Sequence, residues 1–92
     1  MGVEQLTDSG AMMREMTGYI AAKVIKGKSE ITEDTPLVSS GLVDSFALID
    51  IFEQLQRIAG RKVPVGKVQA KHMDTVRLMF AMAEKFGKPV KN

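Results

Sequence analysis

The stretch Gly41-Leu42-Val43-Asp44-Ser45-Phe46-Ala47-Leu48-Ile49-Asp50 decides how the chain is read. A flexible approach of small residues (Ser39, Ser40, Gly41) leads into it, and beyond Asp44 the pattern turns helical. Phe46, Ile49 and Phe52, with Leu48, Ile51 and Leu55, recur at intervals of three and four and so share a helix face. Asp44 stands where an N-cap belongs, its carboxylate able to accept first-turn N–H groups. Ser45 is then the first helical residue, with its hydroxyl at the positive end of the helix dipole. A phosphate ester there would be stabilised by that dipole and by unpaired N–H groups. As a bare pair, Asp-Ser ahead of a helix is capping and nothing more.

Working outward, this helix is expected over residues 45–58, ending at Gly60. Its exposed side carries Asp50, Glu53 and Arg57, each of which taken singly is a solvated charge. Upstream, residues 28–43 form a long acid-leaning loop anchored by Ile31 and Leu37. Pro36 excludes helix there and pushes Thr35 toward extended geometry. A loop this long in a small domain is usually functional or disordered, and this one delivers the chain to Ser45. Further upstream, a helix from residue 8 or 9 to about 26 would turn Met13, Met16, Ile20 and Val24 inward, with Met12 and Tyr19 alongside. Lys23 and Lys26 suit its negative end and Gly27 the position beyond. Gly18 within it costs about 1 kcal/mol against alanine. The methionines read as core filler.

Downstream of Gly60, Val63-Pro64 is followed by a short turn or irregular helix with Val65, Val68 and Met73 inward and Lys71 and His72 exposed. Asp74 is expected to cap a last helix over residues 75–86, with Val76, Met79, Phe80 and Ala83 as its buried stripe. Gly87 and Pro89 stop it. The domain then spans residues 10–87, between a frayed segment 1–9 and a flexible tail 88–92.

Composition narrows the function classes. Ninety-two residues make one small domain, and 45% hydrophobic with 26% charged residues suits a globular chain. Without cysteine there is neither a disulfide framework nor a thiolate metal site, and one histidine, His72, cannot build a metal site alone. No apolar run is long enough to span a membrane and no signal-peptide pattern opens the chain, so a cytoplasmic protein without membrane insertion is expected. The net charge of +2 is unevenly spread. Residues 30–44 hold Glu30, Glu33, Asp34 and Asp44 with no base, whereas residues 61–71 hold Arg61, Lys62, Lys67 and Lys71 with no acid. A bipolar distribution favours oriented docking on charged partners over a nucleic-acid footprint.

Gly41-Leu42-Val43-Asp44-Ser45-Phe46, preceded by Thr35-Pro36-Leu37 and followed by Ile49-Asp50, resembles the phosphopantetheine-attachment motif of carrier proteins, the family of acyl, peptidyl and aminoacyl carriers. Val63-Pro64 is similar to the hydrophobic-Pro pair that in the family plugs the core and opens a short third element. Asp74-Thr75-Val76 is similar to the opening of the family's last helix. The likeness spans residues 31–86. It implies an all-α, four-helix bundle of carrier-protein type, with three longer helices, a short third element and a long loop between the first and second helices.

It also implies chemistry. A phosphopantetheinyl transferase, with Mg²⁺ and coenzyme A, would place 4′-phosphopantetheine on Ser45, with Asp44 contacting the transferase or its metal. The chain would be a non-catalytic carrier holding acyl or aminoacyl thioesters. Its partners would be a loading (adenylating) enzyme and downstream synthases of a dissociated biosynthetic pathway. Phe46, Ile49, Asp50 and Glu53 would face those partners, with core packing the other reading of Phe46 and Ile49. Lys71 and His72 could meet the arm, its cargo or a partner. A monomer suits a shuttle, and tethering raises local concentration to the order of millimolar.

Four departures bear on the cargo rather than the attachment. The segment between Val63-Pro64 and Thr75-Val76 is long, as in D-alanyl and prolyl carrier proteins. The charge is basic, Ala59 stands where an aromatic residue is common, and Phe46 follows the serine where leucine or methionine is usual. Two other classes stay in view. One is an unmodified helical interaction module. The other is a small nucleic-acid binder, suggested by a pI near 9.0 but opposed by low net charge, four arginines and few aromatic residues.

Overall fold

A computed structural model of the chain describes residues 9–90, so the segment 1–9 expected to fray lies, but for Ser9, outside the described residues. Within them the chain is mostly helical, with helices α1 (Ser9–Tyr19), α2 (Ser45–Ala59) and α3 (Val76–Phe86). Two short strands, β1 (Arg61–Lys62) and β2 (Lys88–Pro89), pair antiparallel. Between β1 and α3 the chain makes two 3₁₀ turns, Val65–Lys67 and Ala70–Met73.

The core collects the inward stripes of the three helices: Met16 and Ile20, Ile51 and Leu55, and Val76, Met79, Phe80, Met82 and Ala83. Leu37 from the long loop is also fully buried, and Val43 and Val63 close the margins. Burying a side chain of that size stabilises by about 1.5–3 kcal/mol, more than a cap supplies. Packing therefore holds the long loop down, and Leu37 is its anchor, with half-buried Ile31 against the same core.

The first helix departs from expectation at its end. Through Ile20–Val24 it widens to a π turn, with the Ile25 N–H reaching the Ile20 carbonyl at 2.9 Å. The extra residue shifts the inward stripe by one, so Ile25 is buried where Val24 was expected, and Val24 is only half-buried. Lys26 and Gly27 then leave the helix in left-handed conformations, with φ of 57° and 77°.

The second helix splits its apolar residues between two faces. Ile51 and Leu55 are buried and Leu48 and Phe52 lie at the boundary, but Phe46 and Ile49 are 83% and 64% exposed. At about 100° per residue, Phe46 and Ile49 fall on the far side from Ile51, so the single apolar face read from sequence is two. The third helix follows its expected stripe, with Met82 added.

Two further expectations are corrected. Val65 points to solvent rather than inward, at 73% exposure, while Met73 is buried and Val68 half-buried. Of the segment 88–92, read as a flexible tail, residues 91–92 lie outside the described residues and the rest pairs backbone to backbone: Lys62 faces Lys88, Arg61 faces Pro89, and the Val90 N–H reaches the Gly60 carbonyl at 3.0 Å. The close approach rests on Gly87. A Cβ at that position would stand 2.5 Å from the Ala83 carbonyl oxygen and 3.1 Å from the Arg61 Cβ.

Candidate functional site

The site begins with the cap of α2. Asp44 has an extended backbone, and its Oδ1 accepts the Ala47 N–H at 2.8 Å while its carbonyl accepts the Leu48 N–H at 3.1 Å. That leaves the N–H groups of Ser45 and Phe46 pointing out of the helix end without a described protein acceptor. Ser45 is exposed, and among the described residues no hydrogen bond engages its hydroxyl. Expected cap and expected free hydroxyl are both in position.

The approach to Ser45 is hydrogen-bonded at each of its small residues, the Gly41 N–H reaching the Val38 carbonyl at 3.1 Å. Leu37 donates its N–H to the Asp74 carbonyl at 2.7 Å. The Val38 and Ser39 N–H groups both donate to Asp74 Oδ1, at 2.9 and 2.8 Å, and the Ser39 hydroxyl donates to Oδ2 at 2.9 Å. The Ser40 hydroxyl donates to the Pro36 carbonyl at 2.7 Å, and the Val43 N–H returns to the Leu37 carbonyl at 3.1 Å. Gly41, with φ of 82°, supplies the left-handed turn that closes this ring.

Asp74 is thus a loop clamp, not the cap of α3. The cap is Thr75, whose Oγ1 accepts the Leu78 N–H at 3.0 Å. Three hydrogen bonds to the charged form, the Ser39 N–H foremost, hold the Asp74 carboxyl below its ordinary pKa despite partial desolvation. Sequence reading missed this residue's role. Two adjacent residues able to cap, Asp74 and Thr75, were the available signal that one of them was spare.

Farther back, the loop meets α3 and α1. The Arg77 N–H donates to the Glu33 carbonyl at 3.0 Å, and the Arg77 guanidinium holds Asp34 by two bonds, at 2.7 and 3.1 Å. That guanidinium lowers the Asp34 pKa, and the carboxylate raises that of Arg77. On α1 the Thr17 hydroxyl donates to the Met13 carbonyl at 2.8 Å and lies 3.3 Å from Glu33 Oε2.

Beside the serine lies a groove. Ser45, Leu48, Ile49 and Phe52 are spaced three, four and seven apart and share one side of α2. The last three form one wall of an open apolar groove of about 450 Å³, and Val65, Val68, Ala70 and Met73 line the other. The exposed partner candidates part company here. Phe46, Ile49 and Glu53 look outward along α2, but Asp50 accepts the Tyr19 hydroxyl at 2.6 Å and so ties α2 to α1. That hydrogen bond, with the neighbouring negative charge, raises the Tyr19 pKa. His72 has a structural task too. Its Nδ1 accepts the Gln69 N–H at 3.0 Å, and its ring meets Phe86 edge-on at 5.7 Å. Lys71 is exposed.

Among the described residues no group of three or more His, Cys, Asp or Glu could hold a metal ion, and no helix is long and apolar enough to cross a membrane. Compared with known proteins, the chain matches no family model, no curated protein and no solved structure.

Proposed function

We propose that the chain is a carrier protein of the phosphopantetheine-dependent kind, a four-helix bundle in which the two 3₁₀ turns stand for the short third helix. Ser45 is its attachment site, and acyl or aminoacyl groups travel on it as thioesters. The observation that supports this most is the Ser45 hydroxyl, exposed and unengaged at the head of a helix whose cap is already supplied by the preceding aspartate.

The position suits a phosphodiester. The free N–H groups of Ser45 and Phe46 and the positive end of the α2 dipole favour the added negative charge. In the transfer, Ser45 Oγ bonds to the pantetheine-bearing phosphorus of coenzyme A. The pyrophosphate bond breaks, the nucleotide half departs, and the serine proton passes to a base of the transferase. When bound, the arm supplies the thiol that the chain lacks. The rigid ring of hydrogen bonds at residues 37–43 holds Ser45 clear of the body of the protein, which suits entry into a partner's active site. The apolar groove along Leu48, Ile49 and Phe52 offers shelter from water beside the attachment point. Asp44 has one carboxylate oxygen engaged by the cap and the other facing the transferase or its Mg²⁺. Cytoplasmic localisation, a loading enzyme and downstream synthases as partners, and a monomeric state complete the reading.

Incubation with coenzyme A, Mg²⁺ and a broad-specificity transferase, followed by intact-mass analysis, should show a single phosphopantetheine added, and Ser45→Ala should abolish it. An unmodified wild-type chain beside a fully modified control carrier would defeat the proposal. A second reading, an unmodified interaction module, draws on the exposure of Phe46 and Ile49. Native protein always unmodified in its own host would favour it.

A further inference from the structure

The third helix ends beside a second apolar feature, which shares only Val65 with the groove next to Ser45. Phe86, half-buried, forms with Val63, Pro64 and Val65 the apolar floor of a cleft of about 460 Å³, and Lys62 and Lys88 form its rim. The ammonium groups of Lys67 and Lys85 lie 5.7 and 5.5 Å from the centre of the Phe86 ring. Among the described residues none of these four lysines has a carboxylate within 4 Å, the ion pair found being Arg77 with Asp34. No acid lines the cleft.

The register of the small sheet sharpens the point. Lys62 and Lys88 stand directly opposite each other across β1 and β2. Like charges in that relation destabilise a strand pair, so the fold tolerates a repulsion that any acid at either position would relieve.

We propose that this cleft is a docking site for an acidic peptide segment of a partner protein, one that seats an apolar side chain on the Phe86–Val65 floor and sets its carboxylates against Lys62, Lys67, Lys85 and Lys88. Charge complementarity selects that occupant. A second copy of this chain fits less well, because in its acid-rich loop Asp34 is held by Arg77 and Asp44 caps α2. Nucleic acid fits less well, because a net charge of only +2 and one half-buried ring supply neither a broad phosphate footprint nor a stacking platform. The site shares Val65 with the groove beside Ser45 but contains no residue of the attachment motif.

The test is an NMR titration of the labelled chain with a short synthetic peptide carrying Leu-Phe at its centre and Glu and Asp on both sides. Controls are the same charges around Gly-Ser, vesicles containing phosphatidylglycerol, and oligothymidylate. Shifts should concentrate at Lys62, Val65, Phe86 and Lys88. The Leu-Phe peptide should bind about tenfold more tightly than the Gly-Ser one, the factor expected for burying one such side chain. Lys62→Glu and Lys88→Glu should each weaken binding about tenfold, at a Tm equal to wild type or up to about 4 °C above it, since each replaces a like-charge pair by an opposite one. Equal affinity for the two peptides, shifts spread over lysines outside the cleft, tighter binding to vesicles or oligonucleotide, or a loss of affinity accompanied by a lower Tm would overturn the proposal.

Discussion

Two helices of this chain open on nearly the same letters, Asp44-Ser45-Phe46 at α2 and Asp74-Thr75-Val76 at α3. Each offers a carboxylate and then a hydroxyl, and each helix needs one cap. At α2 the aspartate takes the cap, binding the Ala47 N–H, and the serine hydroxyl is left over. At α3 the threonine takes it, binding the Leu78 N–H, and the aspartate is left over. The spare group differs, and so does its use. The spare hydroxyl stands in solvent at the proposed attachment point. The spare carboxylate reaches across the fold to hold residues 38 and 39, just ahead of that point. The second helix start thus braces the approach to the first.

Breaking the brace should have the largest effect. Asp74→Ala removes three hydrogen bonds to a charged group and frees the Val38 and Ser39 N–H groups. Because hydrogen bonds to charged groups contribute about 1.5–3 kcal/mol each and are not additive, a loss of about 2–3 kcal/mol is expected in urea unfolding. The pH dependence follows from the depressed Asp74 pKa. The folded state binds this proton less readily than the unfolded state. Its contribution is therefore complete above the unfolded value, about pH 4, and is lost as acid takes the pH down through the folded value. Wild-type stability should fall over that window more steeply than that of Asp74→Ala. Asp34, also depressed, is fully exposed on Arg77 and adds little to that slope. Parallel acid limbs would show that Asp74 is not the brace.

How much of this could be read from the chain follows the same division between near and far. The second helix was legible because its signals are local: Asp44 before it, apolar residues at threes and fours within it, and Gly60 after it, with the observed Ser45–Ala59 one residue longer than expected. The stripe of α3 was legible for the same reason. Asp74 was not, because its partners lie 35 and 36 residues away and nothing in the local pattern says which of two capable residues caps. The π turn at Ile20–Val24 escaped because 3.6-residue periodicity picks Val24, and only an inserted residue brings Ile25 inward. Phe46 and Ile49 were left between partner contact and core packing because apolar spacing does not say which apolar side chains face out. The Ser45 hydroxyl at the helix start followed from the cap position, and its functional reading from the motif that surrounds it.

The caps themselves should rank next. Thr75→Ala and Asp44→Ala each delete the side-chain acceptor of one first-turn N–H, and each should cost about 1 kcal/mol. They part in a second measurement. Thr75→Ala leaves Asp74 beside an uncapped helix, and its carboxylate can take over the cap only by releasing Ser39. Amide exchange should therefore quicken at Val38 and Ser39 in Thr75→Ala and stay unchanged there in Asp44→Ala. The same exchange rates in both variants would mean that cap and brace are independent.

The smallest effect should come from Ser45→Ala. Deleting a hydroxyl at the second residue of the Asp-Thr pair removes a cap, but deleting it at the second residue of the Asp-Ser pair removes nothing that the folded chain uses. The Ser45 hydroxyl has no described partner, the position is exposed, and alanine is a good helix former. The change in unfolding free energy should lie within about 0.5 kcal/mol of zero, against about 1 kcal/mol for Thr75→Ala. A hydroxyl that stability does not require, placed at the end of a loop held by a carboxylate from another helix, is available for chemistry on the protein rather than for holding it together. Should Ser45→Ala destabilise as much as Thr75→Ala, the serine would be sharing the cap with Asp44, and the two helix starts would be alike after all.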